Sequence, residues 1–138
     1  MIKATVKVTS RIPDVIKAIE RATQQGLTAG AEMIEGEAKR TITENKSVDT
    51  GRLRGSLSYS VSGSAPIGLE PVGESQSDDG VRKSTKKSAL IGTNVYYGKY
   101  VEFGTEKAKG KPFLRPAFDA NVTKIKALFR GLYARAVK

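Results

Sequence analysis

The sequence predicts an α+β fold, in which a long N-terminal helix and a C-terminal helix pack on a small antiparallel sheet. Two long segments, 13–44 and 116–137, carry apolar residues spaced three and four apart, the period of an amphipathic helix. Shorter segments at 2–9, 57–62 and 88–93 are typical of strands, the first two with apolar and polar residues in alternation. At 138 residues, the chain 1–138 has the length of a single domain.

The first long helix follows the strand 2–9 directly. Pro13 stands where the helix begins, because its missing N–H costs nothing in a first turn, and Ser10 is a candidate cap just before it. A helix over 13–44 is roughly 48 Å long, more than the width of a domain of this size, so we expect one end to protrude or the helix to bend. Gly26 and Gly30 fit either a kink or the close approach of another element, and the sequence leaves both open.

The middle of the chain predicts a short helix and a pair of strands. Asp49 can cap a helical turn over 50–56, because its carboxylate accepts a backbone N–H. Leu53 and Leu57 then share one face of that turn. The strand 57–62 that follows is expected to pair with 88–93.

An aromatic segment comes next. Tyr96, Tyr100 and Phe103 fit one face of a two-turn helix, which Gly104 ends. Aromatic residues beside lysines stack on nucleic-acid bases in some proteins, but more often they fill a core, and we expect the core role here. Pro116 then opens the C-terminal helix.

Residues 62–88 form a segment rich in glycine, proline and serine, which predicts a long loop or a hairpin arm. Its apolar residues, among them Ile67 and Leu69, either anchor part of the loop or extend it onto a neighbouring molecule. The sequence does not decide between these two.

The net charge of +10 is spread unevenly. Residues 62–80 contain four acids and no base, 81–88 contain four bases and no acid, and 105–138 carry nine bases against two acids. Such blocks favour contact with an acidic protein partner, with DNA, or between neighbouring copies in a ring, although a merely solvated face has the same composition.

The composition argues against most catalytic chemistry. The chain has no Cys and no His, and so lacks a thiol nucleophile, a thiolate metal site and the commonest general base near neutral pH. The segment 92–99 has five residues between its glycines where a phosphate-binding loop has four, and Tyr100 replaces the Ser/Thr that would hold magnesium. We therefore expect no enzyme, no cofactor and no metal. No apolar run has the length of a membrane span, so we expect a protein made in a cytoplasm.

Glu102 is the most informative single charge. It lies in the aromatic segment, where an unpaired buried carboxylate is costly, so it needs a partner. The candidates are Arg115, Arg52 and a backbone N–H of the loop that follows.

Three motifs occur in a fixed order and are followed by a helix. The first lies at 49–56 and begins Asp49-Thr50-Gly51, the second lies at 92–105 and the third at 112–117. Together they resemble the head–tail joining (neck, or tail completion) protein family of long-tailed bacteriophages, and the resemblance covers roughly 47–118. On this resemblance the motif residues are mainly architectural, and they are Asp49, Thr50, Gly51, Leu53, Ser56, Gly92, Tyr97, Tyr100, Glu102, Phe103, Gly104, Thr105, Pro112, Phe113, Arg115 and Pro116.

The resemblance implies a structural virion protein without a cofactor, made in the host cytoplasm. Such a protein joins the DNA-filled head to the tail, or completes the tail end, as part of a homo-oligomeric ring around the DNA channel. A hexamer is favoured and a dodecamer comes second. The implied neighbours are head-completion or connector proteins, tail-tube or tail terminator proteins, and DNA in the channel. The alternative is a basic nucleic-acid-binding domain.

The expected contact elements are the 62–88 loop and the basic loop 105–115. The interface candidates within them are Ile67, Leu69, Asp78, Asp79, Arg82, Lys83, Lys86, Lys87, Lys107, Lys109 and Lys111.

Overall fold

The computed structural model describes residues 4, 9–45, 51–62, 87–93 and 95–138. In chain order its elements are α1 (Ile12–Glu44), α2 (Arg52–Ser56), β1 (Leu57–Val61), β2 (Ala89–Thr93), α3 (Gly98–Phe103) and α4 (Leu114–Ala136).

The predicted α+β class is confirmed, since the two long helices pack with a two-stranded antiparallel sheet. Several predictions fall on residues outside the described ranges. They are most of the strand at 2–9, the capping role of Asp49 with Thr50, and the loop at 63–86.

Helix α1 has 33 residues and begins as the sequence predicts. Pro13 lies in its first turn, where no intrahelical N–H bond is lost. Ser10 stands one residue before the N-cap Arg11, and its hydroxyl accepts the N–H of Ile12 at 3.3 Å. Ile12 and Ile16 are 66% and 51% exposed, because the first two turns of α1 extend past the end of α4.

Helices α1 and α4 run antiparallel, and the glycines of α1 set how closely they approach. A Cβ on Gly26 would come within 2.7 Å of ring atoms of Phe129, and one on Gly30 would contact Ile125 at 3.4 Å. One turn before Gly26, the Thr23 hydroxyl bonds that of Tyr133 at 2.7 Å. The close-approach interpretation of these glycines is therefore confirmed, and α1 runs unbroken through both.

The two strands pair as predicted, with Leu57 opposite Thr93 and Val61 opposite Ala89. Tyr59 and Val61 face α1, where they pack with Ala31, and the Tyr59 hydroxyl donates to Glu32 at 3.0 Å. Burial, and then the hydrogen bond to Glu32, raises the pKa of Tyr59. The serine positions of β1 are also fully buried, which alternation alone does not predict.

The main core lies where α1, the sheet, α2 and the start of α4 meet. Leu53 and Leu57 are both buried in it, as expected, although Leu57 belongs to β1 and not to a continued helix. Phe113 is 1% exposed and is the largest fully buried side chain among the described residues. This residue, immediately before α4, therefore fixes the helix to the core.

We predict that Gly26→Ala destabilises the protein by about 1–3 kcal/mol, because the added methyl group overpacks against the ring of Phe129. Gly36→Ala is the matched control. Its Cβ would meet nothing within 4 Å, so the gain in helix propensity stabilises the protein by up to about 1 kcal/mol. Urea denaturation measures both changes. Equal stabilisation by the two substitutions would show that α4 does not approach Gly26 this closely.

Candidate functional site

Glu102 connects α3 to the beginning of α4. It is buried, and its two carboxylate oxygens accept three backbone N–H groups. Oε2 accepts those of Phe113 at 2.8 Å and Leu114 at 3.0 Å, and Oε1 accepts that of Arg115 at 3.1 Å. The predicted partnership with a backbone N–H of the following loop is confirmed. The side chain of Arg115 is not the partner, since its guanidinium bonds Asp119 at 3.3 Å.

This arrangement accounts for every free donor at the start of α4. A helix leaves its first four N–H groups without intrahelical partners. Phe113, the N-cap, has no side-chain acceptor of its own, and Pro116 at the fourth position has no N–H. The prediction that Pro116 opens the helix is therefore wrong by two residues. Glu102 supplies from another helix the cap that lets α4 begin at Leu114.

The loop between α3 and α4 is a tight turn built on two glycines. Gly104 has φ +83°, and a Cβ there would lie 2.5 Å from the N atom of Gly110. Thr105 closes the turn, because its N–H donates to Ala108 O at 2.8 Å and its hydroxyl accepts the Ala108 N–H at 3.1 Å. The Lys111 N–H then donates to Val101 O at 2.7 Å and returns the chain beside α3. The predicted glycine stop at Gly104 is confirmed.

A chain of hydroxyl contacts joins α2 to the end of β2. The Ser56 hydroxyl donates to Leu53 O at 2.8 Å and is also bonded to the Thr93 hydroxyl. The Thr93 oxygen accepts the N–H of Val95 at 3.1 Å. Because the single proton of Ser56 goes to Leu53, Thr93 is the donor between the two hydroxyls.

Gly98 completes this junction at the start of α3. A Cβ on Gly98 would lie 2.6 Å from Cγ2 of Thr93 and 3.4 Å from Cδ1 of Leu53. Only a residue without a side chain lets α3 pack on these two residues, so the first and second sequence motifs are in direct contact here.

The outer side of α3 carries large apolar side chains that the core does not cover. Tyr96, just before α3, is 51% exposed, Tyr100 49% and Phe103 85%, so the expectation that aromatic residues of this segment fill the core is wrong for these three side chains. Tyr97 does pack against the core. The core positions are already occupied by Leu57, Phe113 and their neighbours. The aromatic face of α3 is left on the surface.

Tyr96 and Phe103, together with the start of α4, form a groove of about 550 Å³. Its floor includes Glu102 and Phe113. We call it the aromatic groove, and its outer lining consists of the exposed side chains of Tyr96, Lys99, Phe103, Arg115 and Phe118 and the half-buried side chain of Leu114.

The structure brings many of the motif residues of all three motifs together around α3. Leu53 and Phe113 lie in the core, Tyr97 packs against it, and Glu102 caps α4. Asp49 and Thr50 lie outside the described residues. Of the interface candidates, Lys87, Lys107, Lys109 and Lys111 are exposed, and the ammonium group of Lys111 also donates to Asn45 O at 3.3 Å. The other candidates fall outside the described ranges and are Ile67, Leu69, Asp78, Asp79, Arg82, Lys83 and Lys86.

Several contributors are not among the predicted site residues, namely Thr93, Tyr96, Gly98, Lys99, Gly110, Leu114 and Phe118. No sequence pattern around Gly110 marks it as part of the turn. Its contribution is the close contact of its backbone with Gly104, which only the structure shows. Phe118 fits the apolar stripe of α4 and yet is 50% exposed. Phe118 lines the aromatic groove because α3 lies beside it, and the spacing of residues along α4 does not predict the position of α3.

Among the residues that the structure describes, no group of acidic side chains has the arrangement of a metal site. Nor is any helix in these ranges both long and apolar enough to cross a bilayer.

The chain matches the model of a known protein family. Residues 3–104, well over half of the chain, match the model of the family described as Bacteriophage HK97-gp10, putative tail-component. No curated protein and no solved structure matches the chain. The matched range contains the first motif and almost all of the second, including Glu102, and ends at Gly104, before α4 begins.

We predict that Glu102→Gln destabilises the protein by about 2 kcal/mol, because the amide offers one neutral acceptor where the carboxylate offers two charged ones to three N–H groups. The matched control is Asp119→Asn, which removes an exposed charge from α4 itself and should change the stability by less than about 0.5 kcal/mol. Thermal and urea unfolding measure both. Equal effects of the two substitutions would contradict the capping role.

We also predict that Gly98→Ala destabilises the protein by about 1–3 kcal/mol, through the contact of its Cβ with Cγ2 of Thr93. Thr93→Ser deletes Cγ2 and keeps the hydroxyl that bonds Ser56. The loss caused by Gly98→Ala should therefore be smaller in the Thr93→Ser background. A double-mutant cycle measures this coupling, and strictly additive effects would contradict it.

Proposed function

Since this chain belongs to the bacteriophage HK97-gp10 family of tail components, which is not an enzyme family, we propose that it acts at the phage neck. In this role it joins the DNA-filled head to the tail, or completes the end of the tail, as a subunit of a ring around the DNA channel. A hexamer that matches the symmetry of the tail is the favoured ring and a dodecamer is the alternative.

The observation that supports an assembly role most strongly is that α3 exposes apolar side chains although its backbone is fixed on both sides. Phe103 is 85% exposed although the cap at Glu102, one residue earlier, and the turn at Gly104 both fix its backbone. Monomeric proteins rarely expose large contiguous apolar patches, and where such patches occur, contact with a partner is a common reason. A second exposed apolar pair, Ile12 and Ile16, lies at the start of α1.

The proposed partners are other copies of the chain, head-completion or connector proteins on one side, and tail-tube or tail terminator proteins on the other. The alternation of acidic and basic blocks along the chain supports contacts between copies, because unlike charges on neighbouring subunits fix their relative position.

DNA in the channel is a further proposed contact. Lys107 and Lys109 are exposed on the tight turn that Gly104 and Gly110 form, and Lys111 is exposed just after it. A basic turn of this kind also fits a nucleic-acid-binding domain, the alternative function. Binding to duplex DNA that falls steeply with salt, in the absence of any role in the particle, would favour that alternative.

We predict that inactivating this gene in the phage or prophage that carries it stops the production of joined particles. Electron microscopy of the lysates should show DNA-filled heads separate from tails, because the neck is missing. Tails of normal length would indicate a joining role, and overlong tails a role in completing the tail. Expression of the wild-type chain from a plasmid, as the control, should restore joined particles. Normally joined particles without the gene product would overturn the proposal.

A further inference from the structure

The aromatic groove is a preformed surface. Tyr96, Phe103 and Phe118 are each at least half exposed around it. The backbone around the groove is fixed, because Glu102 in the floor accepts hydrogen bonds from the start of α4 and Phe113 beside it is buried in the core. An apolar ligand therefore finds these side chains on a backbone that is already ordered.

The charges around the groove are mostly positive. Lys99 and Arg115 line it, and the carboxylate of Glu102 is taken up by three N–H groups. Arg115 shares its charge with Asp119, but both side chains are largely exposed, so solvent screens this pair. The adjoining turn adds three lysines against one acid, Glu106. The complementary ligand is an acidic peptide segment with apolar side chains.

The chain itself carries one segment of this chemistry. Residues 67–79 contain Ile67, Leu69 and Val72 among four acids and no base. This segment is joined to the sheet through Ser62 and Lys87. The N–H of Ser62 donates to Ser88 O at 2.9 Å, at the end of the sheet opposite to Thr93, which lines the groove.

The residues that flank the segment therefore lie at the opposite end of the sheet from the groove. The groove and the segment are also different parts of the chain. A contact between them in two copies is head-to-tail, with different surfaces on the two sides. Such heterologous contacts close into rings when the rotation between copies allows it.

We propose that the aromatic groove receives the acidic, apolar segment 67–79 of a second copy of this chain. This rests on the proposed function in that it names the contact by which copies associate in the ring. The apolar side chains of the segment cover Phe103 and Phe118, and its carboxylates lie near Lys99 and Arg115.

The absence of cysteine from the chain allows a direct test with full-length protein. One copy carries Phe118→Cys in the groove, and a second copy, fused to a mass tag, carries Leu69→Cys. A short bismaleimide is added to the mixture, and the cross-linked heterodimer is measured on a denaturing gel. The control pairs Leu69→Cys with Ile12→Cys, which replaces an apolar side chain that is at least as exposed as Phe118 and lies at the start of α1, outside the groove lining.

We expect several-fold more heterodimer from the groove pair than from the control pair. Lys99→Glu in the groove copy should reduce the yield. Combining it with Asp78→Lys and Asp79→Lys in the other copy should restore it, because the charges are exchanged. A yield no higher than that of the control, at every concentration up to the solubility limit, overturns the proposal. The proposal is also overturned if a chain that carries both Phe118→Cys and Leu69→Cys forms only the cross-link within one molecule.

The outcome is separable from that of the proposed function. If gene inactivation separates heads from tails but no groove–segment product forms, only the contact is wrong. If the product forms but particles assemble without the protein, the contact between copies stands and the neck role fails.

Discussion

The described structure depends on one buried carboxylate. Glu102 lies on α3, yet its oxygens complete the first turn of α4, so two helices that are separate in sequence share a single set of hydrogen bonds. A buried carboxylate is costly to leave unpaired, and the first N–H groups of a helix are costly to leave unbonded. Here the carboxylate accepts hydrogen bonds from these N–H groups, so both costs are avoided. The position of α4 against α1, and with it much of the core around Phe113, follows from where α3 places this side chain.

Two close approaches put α3 in that place. On one side Gly98 lets α3 rest on Thr93 and Leu53, and on the other Gly104 and Gly110 bring the following turn back within backbone contact. Neither approach tolerates a Cβ without movement of its neighbour. Because the inner side of α3 is taken up by these contacts, its aromatic side chains face outward. The exposed aromatic groove is thus a consequence of how the helix is held, and it is available for a partner in a family of phage tail components.

The sequence is sufficient to predict the helices and strands, but not which side chains remain exposed once these elements pack together. Periodicity predicts α1 and α4 to within two residues, and alternation with length predicts the pairing of β1 with β2. The need of Glu102 for a partner follows from its apolar surroundings, but its three N–H bonds depend on the path of the 104–111 turn. Tyr96, Phe103 and Phe118 are exposed because other apolar side chains occupy the core. The spacing of apolar residues along the sequence does not predict which of them are left outside. The oligomeric state, likewise, belongs to surfaces that one chain does not specify.

The cap can be observed without altering it. Amide hydrogen exchange, followed by NMR at single residues, reports whether the N–H groups of Phe113, Leu114 and Arg115 are bonded. These are first-turn amides, which in an uncapped helix exchange quickly because they have no intrahelical partner. If Glu102 holds them, their protection should approach that of amides in the middle of α1, such as that of Ile34. Exchange at the rate of a frayed helix end, with α1 still protected, would contradict the account at its central point.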